Sequence, residues 1–263
     1  MSQRLQDKVA IITGASRGVG AANAQLLAKH GAKVVLTDIS AEGEKVAADI
    51  NQTCGLDTAI FVKQDVSDEQ GWTDLIAQVE QKYGRLDILV NNAAILKHAS
   101  ITDEDYSGWQ KIMKINTDSV FLGTHAALPL LEKGNGGSII NMSSSSAIMG
   151  MPHFVAYSAS KAAVRGLTQS VAVYCSQKQN KVRCNTIHPD AIATPMSMEV
   201  GMDLAQKGKN VADRTRVMNF ICTPDAVANT VLFLASDESS HINGAAIPVD
   251  NAATITPPYL PNS

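Results

Sequence analysis

Lys8-Val9-Ala10-Ile11-Ile12-Thr13-Gly14-Ala15-Ser16-Arg17-Gly18-Val19-Gly20 decides the fold. Its first half is a short apolar run of the length expected for a strand buried on both faces. Its second half is a glycine-rich turn, and a helical pattern carried by Ala22, Leu26, Leu27 and Ala28 follows up to Gly31. Strand, glycine turn and helix N-terminus together make a phosphate cradle. Gly14 permits the tight turn, Gly18 lets backbone approach a pyrophosphate, and Gly20 lets the helix pack on the strand.

The pattern repeats along the chain. Apolar strands read at 8–13, 33–38, 58–64, 86–91, 137–143, 181–188 and 245–249, and helical periods read near 19–30, 41–53, 68–83, 104–132, 154–178 and 224–235. Strands alternating with helices imply an α/β fold with a parallel sheet covered on both faces. Right-handed crossovers then predict a doubly wound Rossmann sheet of about seven strands in the order 3-2-1-4-5-6-7. No linker interrupts the alternation, so residues 1–263 read as one dinucleotide-binding and catalytic domain. Ligands of such sheets bind beyond the carboxyl ends of the strands. Gly14, Asp38, Asp65, Asn92, Ser144 and Pro189 each fall at or just after such an end.

Asp38 closes the second strand, 24 residues after Gly14. A carboxylate there accepts hydrogen bonds from an adenosine ribose diol and repels a 2′-phosphate, which favours NAD over NADP. Arg17, in the glycine turn, is the cation placed to offset that repulsion. Tyr157 and Lys161 are one helical turn apart, so phenol and ammonium share a face. A fixed cation favours the phenolate, and the pair is expected to lower the tyrosine pKa and serve as a general acid/base.

These pieces together resemble the short-chain dehydrogenase/reductase family. The match rests on Thr13-Gly14-x-x-x-Gly18-x-Gly20, Asp65-Val66, Asn91-Asn92-Ala93, Asn116, Ser143-Ser144, Tyr157-x-x-x-Lys161 and Pro189 with Thr194-Pro195-Met196. The turn Ile187-His188-Pro189-Asp190 and the segments Ser236–Ser240 and Asp250-Asn251 look like the bacterial 3β/17β-hydroxysteroid dehydrogenase branch. The resemblance implies Asn116, Ser144, Tyr157 and Lys161 as the catalytic set. Ser144, thirteen residues before Tyr157, is preferred over Ser143, Ser145 and Ser146. Asn116 would bend its helix and anchor a water chain to Lys161.

The same resemblance implies cofactor contacts from Gly14, Ser16, Arg17, Gly18, Val19, Gly20, Asp38, Asp65, Val66, Asn92, Tyr157, Lys161, Pro189, Ile192 and Thr194. Asp65 falls on the adenine side, Asn92 on the nicotinamide-ribose side, and Ile192 and Thr194 at the carboxamide. Asn91 reads as a packing and backbone-bonding residue. Ser144, Tyr157, His153 and Met196 are the substrate candidates. His153 reads either as a donor to a substrate oxygen or as a solvent-facing loop residue. Ala94, Ala147, Asp190-Ala191 and Asn251 depart from positions where the family usually carries glycine.

The expected activity is NAD-dependent interconversion of a hydrophobic secondary alcohol (cyclic, aryl or steroid) and its ketone. NADPH-dependent carbonyl reduction and a non-catalytic dinucleotide sensor are the alternatives. Residues 195–222, rich in methionine, read as a substrate lid or as ordinary helix packing. The tail at 252–263 is extended and proline-rich, and family resemblance implies a homotetramer. A net charge of −3 gives no nucleic-acid footprint. No apolar run reaches the ~20 residues of a membrane span, and no leader pattern opens the chain. Cys54, Cys175, Cys184 and Cys222 lack Cys-x-x-Cys spacing and read as reduced thiols. A cytoplasmic location follows as the expectation. No metal-ligand spacing occurs, so metal-free chemistry is expected.

Overall fold

Side chains of β1 (Val9–Thr13) alternate between the two cores of the molecule. Ala10 and Ile12 pack into one, while Val9 and Ile11 pack into the other. A strand that buries both faces has no polar side to present to water, which is why its sequence shows no period-two polarity. The computed structural model describes residues 3–134, 136–206 and 221–256. Its seven strands form one parallel sheet in the order β3-β2-β1-β4-β5-β6-β7, as the sequence predicts. The others are β2 (Lys33–Asp38), β3 (Ala59–Lys63), β4 (Ile88–Asn91), β5 (Gly137–Met142), β6 (Val182–Pro189) and β7 (Ala246–Val249).

Helices α1 (Gly18–Lys29), α2 (Glu42–Cys54) and α8 (Pro224–Ala235) contribute to the first core. On the other face lie α3 (Glu69–Tyr83), α5 (Ser119–Glu132) and α6 (Val155–Lys178). Register brings the carboxyl ends level: Thr13 lies against Thr37, Asp38 against Lys63, Asn91 against Asn141 and Met142 against Ile187. The predicted site residues at strand ends thereby share one rim of the sheet.

Two departures from the sequence reading have their cause in side-chain pairings between distant segments. The single helix expected over 104–132 is two: α4 (Tyr106–Met113) and α5, joined by a π-helical turn at Lys114–Asp118. Asn116 sits in that turn, fully buried, where its amide nitrogen donates to the Ile95 carbonyl at 2.9 Å and its Oδ1 accepts from the Ile95 amide at 2.8 Å. A side chain that pairs with another segment's backbone competes with the regular helix ladder. Asn91 bonds to side chains, not to backbone. Its amide donates to Asn141 Oδ1 at 2.8 Å and to Thr124 Oγ1 at 3.3 Å, and Asn141 donates in turn to Thr168 Oγ1 at 2.8 Å. This buried chain satisfies polar groups between β4, β5, α5 and α6.

The stretch read as a lid begins as α7 (Pro195–Gln206). Its base is pinned where the Ala193 amide donates to the Cys222 carbonyl and the Cys222 amide to the Ala191 carbonyl, each at 3.0 Å. Met196 turns inward, whereas Met198 and Met202 are exposed. The remainder of the lid, 207–220, and the tail beyond residue 256 lie outside the described residues. Among the described residues, no helix is long and apolar enough to cross a membrane.

Gly20 is the tightest point of the fold's first crossover. A Cβ added there would lie 2.1 Å from the Gly14 carbonyl oxygen and 2.7 Å from Asn92 Nδ2. Both are fixed groups, so the helix must move instead. Gly20→Ala is expected to cost about 2 kcal/mol or more by overpacking, a fall of roughly 5 °C in Tm for a chain of this size. Thermal denaturation by circular dichroism checks it, and an unchanged midpoint would contradict this view of the α1–β1 contact.

Candidate active site

At the carboxyl rim, β1 and β4 diverge, and Thr13 and Asn92 hold the opening. Thr13 Oγ1 accepts from the amides of Asn92 and Ala93 at 2.9 and 3.0 Å, and the Asn92 amide donates back to the carbonyls of Thr13 and Gly14 at 2.8 and 3.2 Å. Gly14, at φ +63°, carries the chain out of β1 in a left-handed conformation. A Cβ on it would meet Ala93 Cα at 2.8 Å. A cavity of about 590 Å³ opens there.

Nearly all of the predicted cofactor residues line this cavity: Gly14, Arg17, Gly18, Val19, Gly20, Asp38, Asp65, Val66, Asn92, Tyr157, Lys161, Pro189, Ile192 and Thr194. Ser144 and Met196 join them. Ser16 does not: its buried hydroxyl donates to the Ser40 carbonyl at 3.0 Å, while its amide donates to Asp38 Oδ2 at 3.1 Å. The Ser40 amide donates to the other Asp38 oxygen at 3.0 Å. Two backbone donors thus fix the orientation of the Asp38 carboxylate. Hydrogen bonds from Ser67 hold the Asp65 carboxyl below its usual pKa. His153 is exposed and stacked on His98 with ring centroids 5.0 Å apart, away from the cavity lining. It follows the solvent-facing reading: its carbonyl accepts from the Ala99 amide at 2.8 Å while its ring stands outside the cavity lining.

Tyr157 and Lys161 meet as the helical spacing requires, with Lys161 Nζ 5.6 Å from the Tyr157 ring centroid. Lys161 is buried and donates to the Met142 carbonyl at 2.8 Å. Burial pushes the Tyr157 phenol up to about 12, partly offset by a hydrogen bond with Ser144, and pulls Lys161 down to about 8. The expectation that the ammonium lowers the tyrosine pKa is therefore not met in this cavity. Burial disfavours the charged form of both groups, the phenolate and the ammonium alike. Both groups hold their protons at neutral pH.

Among the four serines, Ser144 alone lines the cavity beside Tyr157 without a competing commitment of its proton. Ser143 donates to the Lys161 carbonyl at 2.9 Å, Ser145 donates to Asp190 Oδ1 at 3.1 Å, and Ser146 is buried. Ser144 Oγ accepts from the Ser146 amide at 3.1 Å, which leaves its proton for another acceptor. The departures from glycine cost little at Ala94, Ala147 and Asp190, none of which has a positive φ. Asn251 does, at +46°, and asparagine tolerates that region better than most side chains.

Sequence reasoning missed His188. Fully buried behind the site, it lies with Nδ1 2.9 Å from the Ser144 carbonyl oxygen and Nε2 2.8 Å from Thr186 Oγ1. A carbonyl only accepts, so the proton belongs on Nδ1 and Nε2 accepts from the threonine. Burial holds this ring below the usual histidine pKa and thus neutral. The signal was its position directly before Pro189 at the carboxyl end of a strand.

The comparisons with known proteins agree with this architecture. A family model described as enoyl-(acyl carrier protein) reductase matches residues 14–254. The chain belongs to the short-chain dehydrogenase/reductase family, whose dehydrogenases use nicotinamide dinucleotides. It is 38% identical over 261 residues to trans-4-hydroxycyclohexanecarboxylate dehydrogenase of Sinomonas cyclohexanicum, covering 97% of this chain and 95% of that one. It is 40% identical to 3-beta-hydroxysteroid dehydrogenase of Comamonas testosteroni over 260 residues, 96% of this chain and 98% of the other. An NADP-dependent (R)-specific alcohol dehydrogenase of Lentilactobacillus kefiri is 41% identical over 257 residues, with 97% and 99% covered.

The cavity geometry fits a nicotinamide dinucleotide. Gly14, Gly18 and Gly20 add no side chain to the cavity wall, and two backbone amides fix the Asp38 carboxylate on it. Because His188 fixes the backbone that carries Ser144, His188→Ala is expected to lower kcat by about tenfold or more through misplacement. Cofactor affinity should stay within about twofold. Steady-state kinetics with a fluorescence titration of the cofactor separate the two, and equal losses in both would indicate general unfolding of the site instead.

Proposed function

We propose that this protein is an NAD-dependent dehydrogenase that interconverts a hydrophobic secondary alcohol, cyclic, aryl or steroid, with its ketone. The observation that carries the reading is the joint placement of Ser144, Tyr157 and Lys161 on the wall of a cavity whose other end carries Asp38. The nicotinamide, when bound, supplies the hydride acceptor. Every other task falls to the chain. The glycine turn and the N-terminus of α1 receive the pyrophosphate, Asp38 receives the ribose diol, and Ile192 and Thr194 flank the carboxamide. Lys161 bonds the second ribose, and Asn116 braces Ile95 and Ser160 behind it.

Ser144 holds the substrate oxygen against Tyr157, which takes the hydroxyl proton in oxidation and returns it in reduction. Ala94, Ile95, Ile192 and Met196 offer the apolar surface that a cyclic substrate needs, and the cyclic-alcohol and steroid specificities named for two relatives support that class. Exposed Phe121, Val173 and Tyr174 on α5 and α6 support self-association through those helices as a homotetramer.

Tyr157→Phe is expected to leave the NAD dissociation constant nearly unchanged and to lower turnover by at least ~10²-fold, the lower range for a lost acid/base. Retention of more than about a tenth of the activity would sink the assignment. Because burial raises the Tyr157 pKa, the phenol stays protonated until alkaline pH. Its base form then grows as pH rises, so oxidation should climb through the alkaline range while reduction declines. A pH–rate profile in both directions checks the sign.

The second test concerns the cofactor, where the NADP-dependent relative gives the competing reading. A fixed carboxylate facing a 2′-phosphate should give at least ~10²-fold discrimination for NAD, about 2.7 kcal/mol. Asp38→Ser should bring the two cofactors near parity. A wild-type ratio of specificity constants in favour of NADP would overturn the Asp38 argument.

A further inference from the structure

Two of the side chains lining the cavity are cations, Arg17 and Lys161. Lys161 is committed to the catalytic end through Met142. Arg17 leads into α1 beside Ser16, whose amide holds Asp38, so it is the cation placed to meet a phosphate on the adenosine ribose. Its guanidinium is instead engaged by Glu199 of α7, Nη1 to Oε1 at 2.7 Å and Nη2 to Oε2 at 3.5 Å. The two side chains are 52% and 54% exposed. An ion pair so open to water contributes at most about 1 kcal/mol, so it does little for the fold. Its effect is to direct the guanidinium fork to α7.

We propose that Glu199 is a specificity-determining residue, which selects against a 2′-phosphorylated dinucleotide by occupying Arg17. The proposal builds on the NAD reading given above but is tested separately from it. Arginine binds carboxylate and phosphate with the same planar fork, so the two compete for one set of donors. Asp38 acts by repelling the phosphate; Glu199 acts by withholding the group that would compensate for Asp38. The Thr194-Pro195-Met196 stretch, which also lines the cavity, joins Glu199 to the site through the first turn of α7.

The test is direct binding by isothermal titration calorimetry, with NAD and NADP as titrants and no substrate present. Glu199→Gln should tighten NADP by about fivefold, the factor set by an exposed pair of up to ~1 kcal/mol. NAD should shift by less than about twofold, because its diol does not use Arg17. The same substitution in an Arg17→Gln background should move NADP by less than about twofold, since the effect runs through the guanidinium. An unchanged NADP affinity in Glu199→Gln overturns the proposal. So does an equal gain with Arg17 already removed, which would assign the effect to the carboxylate charge alone. Tighter binding of NADP than NAD by the wild-type protein would instead overturn the NAD reading, and the Glu199→Gln shift would still decide the present inference.

Discussion

The clasp between Thr13 and Asn92 is the interaction on which the remainder of the site depends. Two neighbouring parallel strands, β1 and β4, send their chains in opposite directions at this point, and a cleft between them would ordinarily strand backbone donors and acceptors. Thr13 Oγ1 takes two amide protons and the Asn92 carboxamide satisfies two carbonyls. The switch point is thereby kept open and polar-satisfied without a side chain filling it. Gly20 completes the arrangement, since a Cβ there would collide with the Asn92 carboxamide and with the Gly14 carbonyl to which it donates.

Behind the cleft, the wall that carries Ser144, Tyr157 and Lys161 is assembled from backbone as much as from side chains. The end of β5 supplies the Met142 carbonyl that holds Lys161, and Ser143 returns a bond to the Lys161 carbonyl. His188, on β6, grips the next residue along through the Ser144 carbonyl. Strand β5 and helix α6 are thus tied at consecutive residues, which fixes Ser144 relative to Tyr157. The π turn at Lys114–Asp118 carries Asn116, which ties Ile95 to Ser160 of α6.

Electrostatics in this wall follow burial before they follow charge pairing. Spacing alone says that a lysine one turn from a tyrosine will favour the phenolate. The cavity raises the cost of both charges, so Tyr157 moves up and Lys161 moves down. The result is a pair in which the charged form of each partner is disfavoured.

Local pattern was enough for the sheet and for most of the rim. Parallel strands buried on both faces announce themselves as apolar runs, and handedness leaves few orders for their connection. The glycine turn, Asp38 and the Tyr157/Lys161 pair are short-range motifs whose geometry is set by φ, by strand ends and by helical period. What tertiary structure alone decided lies in long-range contacts. The commitment of Ser16 to Ser40 and the outward stacking of His153 on His98 depend on neighbours, not on any local period. The same holds for the pairing of Asn91 with Asn141, 50 residues away, and for His188 behind Ser144, 44 residues away. The Arg17–Glu199 pair spans 182 residues. Desolvation belongs with them, because the free energy of a charge depends on everything packed around it, and one turn of helix cannot report that.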